Sequence, residues 1–172
     1  PSATPNSVAQ FADNTGKVLA TGSIAVGTSP NNLPQLDSTG HLPTALLSLS
    51  PETNSLAADV TLTGTGTYFN GPFVAQGTVG TWFASGTVTI YNSSGSNDFY
   101  FIRLWDGTNI IASCVVFAAG STNVSASLSG YITTPAGNIE MSVAPKNFTG
   151  AIIQANSSGS GKDSTITVFR IG

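Results

Sequence analysis

Apolar and polar residues alternate in short runs through the C-terminal two-thirds of the chain, and scarcely at all before it. Residues 81–91 put Trp82, Ala84, Val88 and Ile90 on one side and Ser85, Thr87 and Thr89 on the other, the period of a half-buried strand. Residues 138–144 set Ile139, Met141 and Val143 against Asn138, Glu140 and Ser142. Residues 163–171 set Ile166, Val168 and Arg170 against Thr165, Thr167 and Phe169. Residues 99–105 are apolar on both sides except at Arg103, as expected of a central strand. Asp106-Gly107 then signals a hairpin turn, with 110–118 as the return strand. Shorter strands are predicted at 59–64, 124–128, 131–133 and 151–155. No segment shows a capped helical period, though 42–49 and 53–58 are compatible with single helical turns. Short strands at regular spacing with Gly/Asn/Ser turns predict a two-sheet sandwich, and the count fits an eight-stranded jelly roll.

Residues 1–56 follow another pattern. Pro, Gly, Asn, Ser and Thr punctuate them throughout, and Asp13, Lys17, Asp37 and Glu52 are their only formal charges. The apolar stretches near 8–18, 24–26 and 33–36 are too short and interrupted to make a core. Ordering backbone costs about 1–2 kcal/mol per residue, so roughly 50 residues need an offset of about 50–100 kcal/mol. At about 25 cal/mol per Å² this is roughly 2,000–4,000 Å² of apolar burial, the size of an obligate subunit interface. The division expected is therefore an extended N-terminal arm for attachment and assembly, 1–56, before a jelly-roll β-sandwich, 57–172. The arm's apolar residues Phe11, Val18, Leu33, Leu36, Leu42, Leu46 and Leu47 are its candidate assembly contacts.

Composition narrows the function. Charged residues are 8% of the chain, against about 25% in an ordinary soluble domain, with Ser, Thr, Asn and Gly in their place. Such a surface suits a protein covered by neighbours better than a free monomer at high concentration, and equally a β-rich exterior that Ser, Thr and Asn simply solvate. The five basic residues, Lys17, Arg103, Lys146, Lys162 and Arg170, are scattered and the net charge is −3, which argues against nucleic-acid binding. No apolar run approaches membrane-spanning length, and no signal peptide is read at the start, so neither a membrane partner nor a secretory route is expected.

Candidate chemistry is sparse. His41 is the only histidine and lies in the Pro-flanked arm, far in sequence from the single cysteine, Cys114, which sits in an apolar run as a small hydrophobe. One His and one Cys cannot supply the ligands of a zinc site. Asp98 and Asp106 bracket one strand and are too far apart to chelate together, and Asp106 fits the turn. Asp59, Asp98, Glu140 and Asp163 read as solvated strand or loop residues. No catalytic residue, metal or cofactor is expected, and the chain is read as a non-enzyme. Trp82, Trp105, Tyr91, Tyr100 and Tyr131 are the aromatics that could stack on sugars, although in alternating strands such residues more often serve core or interface. Arg103, on an apolar strand, needs an acid from its own sheet or a subunit interface.

Two arm motifs carry a resemblance. The segment NSVAQFADNTGKVL at 6–19 with GSIAVG at 22–27, and LPQLDSTGHLPTALL at 33–47, resemble segments of tailed-bacteriophage fibre and head-appendage proteins. His41 stands where that pattern usually has Lys, which weakens the basic character there. GTWFASGTVTI at 80–90, RLWDGT at 103–108 and YITTPAGN at 131–138 are similar to trimeric jelly-roll domains of phage capsids and fibres. The resemblance implies a structural virion protein: a capsid decoration (cement) protein on the outer capsid surface, a homotrimer, with the major capsid protein as partner. The alternative it implies is a short tail fibre or spike whose jelly roll binds a host surface glycan.

Overall fold

The structure is a computed structural model that describes residues 7–8, 24–25 and 50–171. The chain divides into two compact units, Pro1–Ser48 and Leu49–Gly172. In the first, β1 (Ser7–Val8) pairs antiparallel with β2 (Ile24–Ala25). The candidate assembly contacts Phe11, Val18, Leu33, Leu36, Leu42, Leu46 and Leu47, with His41 and the expected extension of the arm, lie outside the described residues.

The second unit is an all-β jelly roll, with no helix among its described residues. Its strands are β3 (Glu52–Ser55), β4 (Val60–Thr61), β5 (Phe69–Val74), β6 (Thr81–Tyr91), β7 (Asp98–Trp105), β8 (Ile110–Ala118), β9 (Asn123–Thr133), β10 (Ile139–Pro145), β11 (Ile152–Ile153) and β12 (Thr165–Arg170). One sheet runs β5-β10-β7-β8. The other is six-stranded: β6 pairs β9 along one edge, while its other edge meets β12 and then β11, which lead on to β3 and β4.

The core follows the alternation. Trp82, Ala84, Val88 and Ile90 of β6 and Ile166 and Val168 of β12 face inward with Tyr100, Ile102 and Leu104 of β7 and Ile139, Met141 and Val143 of β10. Gly86 interrupts the apolar side of β6 because Met141 fills its space: a Cβ there would lie 2.6 Å from Met141 Cγ.

Several elements differ from expectation. The sandwich takes in residues 52–56, which composition assigns to the arm: β3 pairs with β12, and the Leu56 N–H donates to Ser164 O at 2.9 Å. Extended pairing there also replaces the helical turn considered at 53–58. Strands expected at 124–128 and 131–133 are one eleven-residue strand, β9. Gly130 is therefore no turn; a Cβ on it would come 2.7 Å from Ile111 Cγ2 of β8, so it marks a close approach where the sheets meet. β5, with Asn70, Gly71 and Pro72, reads as punctuation yet is a strand. It lies at a sheet edge with a register shift opposite Glu140 and Ser142, where Pro is tolerated.

Candidate functional site: the outer faces of the two sheets

The outer face of the six-stranded sheet is built from the polar side of each alternating strand. Its register-paired outward positions number nineteen: six on β6, six on β9, three on β12, two on β3 and one each on β11 and β4. None of them is charged. Hydroxyls meet in cross-strand pairs: Thr53 with Thr167 (2.8 Å), Ser55 with Thr165 (2.9 Å), Thr81 with Thr133 (3.1 Å), Thr87 with Ser127 (2.7 Å) and Thr89 with Ser125 (2.8 Å). Toward one end three aromatics cross the sheet in register. Phe83 lies between Tyr131 and Phe169, with ring centroids 5.1 and 5.2 Å apart. Tyr131 is 66% exposed.

The outer face of the four-stranded sheet has aromatics and charge together. The Arg103 guanidinium lies 3.2 Å from the ring centroid of Trp105 and 3.7 Å from that of Tyr68. Trp105 Nε1 donates to Ser142 Oγ at 2.6 Å. Beneath them the outward positions of β10, Glu140, Ser142 and Ala144, are buried. Burial pushes the Glu140 carboxyl above its ordinary range, against the pull of Trp105, Arg103 and Ser142. Burial likewise lowers the pKa of Arg103, with Tyr68 and Glu140 opposing it. Of the two expected partners, Arg103 has the acid of its own sheet, Glu140, as the nearby negative charge, and the rings of Trp105 and Tyr68, which were not expected, hold its guanidinium. Its Nε makes no hydrogen bond among the described residues. Along β7 and β8, Phe99 and Phe117 are directly paired and pack edge to face at 5.3 Å, and Lys146 Nζ lies 5.3 Å from the Phe99 ring centroid.

The sequence-predicted residues separate accordingly. Trp82 and Tyr100 are core residues and cannot stack on a ligand. Burial, with Asp98 nearby, pushes the Tyr100 hydroxyl up to about 12. Trp105 and Tyr131 lie on opposite outer faces, and Tyr91 is a half-buried outward position of β6. Cys114 packs half-buried against the core, where burial raises its thiol pKa.

Two acids expected in solvent, Glu140 and Asp98, are buried, whereas Asp163 stays partly exposed. Glu140 is buried as described. Asp98 is buried, accepting from the backbone N–H groups of Phe99, Asn147 and Phe148 and from Asn147 Nδ2. Asp163 is half-buried and accepts from the Ser158 N–H and hydroxyl. Asp106 does belong to the turn. It accepts from the N–H groups of Thr108, Asn109 and Ala136 and from Asn109 Nδ2, tying the β7–β8 hairpin to the β9–β10 loop. Burial alone would push its carboxyl up; these four bonds outweigh it and hold the group at about 2. The left-handed φ of 88° at Gly107 completes the turn. Among the described residues no three His, Cys, Asp or Glu side chains come together.

Sequence reasoning overlooked Tyr68, Phe83 and Phe169. Phe83 and Phe169 each stand among hydroxyls on the polar side of an alternating strand, and that misplacement was their signal.

No family model matches the chain, and no curated protein sequence does. Among solved structures it is similar in fold to the Eiger TNF of S. frugiperda, at 8% identity and a TM-score of 0.49, covering 72% of this chain and 93% of that one. The globular domain of a zebrafish complement 1qA protein is similar at 11% identity and a TM-score of 0.41, covering 70% and 97%. Infectious bursal disease virus, Gx strain, is similar at 14% identity and a TM-score of 0.37, covering 86% of this chain and 38% of that one. Neighbours thus include jelly-roll-type domains and a viral structure.

Proposed function

We propose that the chain is a structural subunit of a tailed-phage particle, a decoration (cement) protein that stands on the outer capsid surface as a homotrimer and stabilises the shell. The observation that carries this reading is the uncharged outer face of the six-stranded sheet. An open protein surface of that extent ordinarily carries charge, whereas the buried centre of a subunit contact is depleted of charge and enriched in Tyr and Phe. Eleven residues of strand and four strands across span roughly 36 Å by 15–20 Å, or about 500–700 Å², against about 800 Å² per partner in a stable interface. Copies meet through this face, with the symmetry that the sequence resemblance implies. The arm grips the major capsid protein and, by binding only the assembled lattice, stabilises it by mass action.

The test has two arms. Native mass spectrometry of the full chain gives a trimer, and Ser127→Lys, which puts a charge midway along β9 on this face, gives monomer with an unchanged circular-dichroism spectrum. Particles stripped of the protein lose their genome at lower temperature than decorated ones. A monomeric parent chain, or stripped particles of equal thermal stability, sinks the reading.

A second reading, a short tail fibre or spike that stacks a host glycan, is favoured by the exposed Tyr131 beside Phe83 and Phe169. Copy number separates the two: hundreds per particle for decoration, a dozen or fewer for a fibre.

A further inference from the structure

The other outer face is built for a different partner. Five exposed large hydrophobics belong to the four-stranded sheet: Phe73 (43%), Phe99 (42%), Ile110 (60%), Val115 (56%) and Phe117 (51%). Strand register puts them on its outer side. Phe73, Glu140, Trp105 and Ile110 follow one another across the four strands, and Val115 and Phe117 sit opposite Phe101 and Phe99. With aromatic side chains of about 150–250 Å², these exposures leave roughly 400–500 Å² of apolar surface. The apolar share of one side of a standard interface is roughly 450–520 Å².

Charge chooses the occupant. The face carries two cations, Arg103 and Lys146, each set against aromatic rings. Its acid, Glu140, is buried beneath, so what the face presents is positive on a chain of net charge −3. A second copy docking through the same face would set cation against cation. Phe99 and Arg103 are two outward steps apart on β7, so the charges stand roughly 13 Å apart along the strand. That is the spacing of residues four apart on an extended segment, with one apolar position between them on the same side.

We propose that the outer face of the four-stranded sheet docks an extended polypeptide segment of a partner protein, apolar with acidic residues four positions apart. Lys146 and Arg103 receive the acids, and Phe99, Phe117 and Val115 receive the apolar side chains. The segment lies on the face opposite to the one through which copies of the chain meet. For the partner's identity, a shell protein, the inference rests on the proposed function; the chemistry of the face stands without it.

The test uses the full chain and a synthetic peptide with serine at every second position and leucine alternating with glutamate between. Binding is read from Trp105 fluorescence and checked by calorimetry. The glutamate peptide binds saturably, and its lysine counterpart does not. Lys146→Glu weakens binding about tenfold or more, as does added salt, and Phe117→Ser weakens it similarly. Ser127→Lys on the opposite face changes it less than about twofold, because sites this far apart do not couple. No binding of the glutamate peptide, equal binding of both peptides, or binding that survives Lys146→Glu and Phe117→Ser overturns the inference. So does saturable binding of a sialylated oligosaccharide in the peptide's place. The oligomeric state of Lys146→Glu, measured in parallel, keeps this result separate from the self-association reading.

Discussion

On the four-stranded sheet the outward side chains of the inner strand β10 are buried, whereas those of the inner strand β6 on the six-stranded sheet are half-buried or exposed. The cause is the size of the neighbours. Trp105 and Arg103 on β7, with Tyr68 beyond β5, reach over β10 and close a second, thin layer above Glu140 and Ser142. On the six-stranded sheet the neighbours of β6 are mostly Ser and Thr, which reach only to the adjacent strand. One face is therefore part of the folded domain's own stability. The other contributes little to the domain, which is why the proposed contact between copies is assigned to it. An alternating strand shows which side is polar, but not whether that polar side ends in solvent or under a second layer.

Removing the second layer has the largest expected effect. Trp105→Ala strips the cover from Ser142 and Glu140 and one ring from Arg103, and is expected to destabilise the domain by about 2–4 kcal/mol in urea unfolding. A loss below about 1 kcal/mol would make the two faces equivalent. Acid probes the end of the same sheet next. The Asp106 carboxyl is held below its ordinary 3.8, at about 2, so its contribution is complete above the ordinary value and is lost as pH falls through the folded one. Stability is expected to drop by roughly 2 kcal/mol from this group between about pH 5 and pH 2. Asp106→Asn should flatten that part of the profile; an unchanged acid limb would show that the four bonds do not bias its titration. The smallest effect belongs to the hydroxyl face. Thr87→Ala removes one exposed pair with Ser127 and should shift unfolding by about 0.5 kcal/mol or less, and a larger shift would assign that face a role in the fold of the single domain.

Strand content, the jelly roll and the inward sides of β6, β10 and β12 were legible in the alternation, because burial on one side enforces a period of two; β7 was legible as a central strand but not in which side it buries. β5 and the continuity of β9 were not. There Gly71, Pro72 and Gly130 carry the signs of turns, while their cause is tertiary: an edge position for Pro72, and close approaches to Met141 O and Ile111 for the glycines. Of the outer faces, Arg103 was singled out in advance because a charge on an apolar strand is costly. Its placement between Trp105 and Tyr68 could not be foreseen, since Tyr68 precedes an unrecognised strand. The buried acids were missed for a related reason. Asp98 is satisfied by backbone N–H groups of a loop forty-nine residues away, and Asp106, though rightly placed in its turn, also accepts from a loop thirty residues away, which no local pattern announces.

The pairing of β3 with β12 has a consequence in time. Ser55 and Thr165 are separated by 110 residues, and at about 5–20 residues per second of synthesis the partner of β3 is made roughly 5–20 s after it. For that interval on the ribosome, β3 and everything before it are finished while the domain they belong to cannot close. Until β12 has been made, β3 has no strand of its own chain to pair with. The order of manufacture thus makes the strand that closes the sandwich, β12, the last one that the chain supplies.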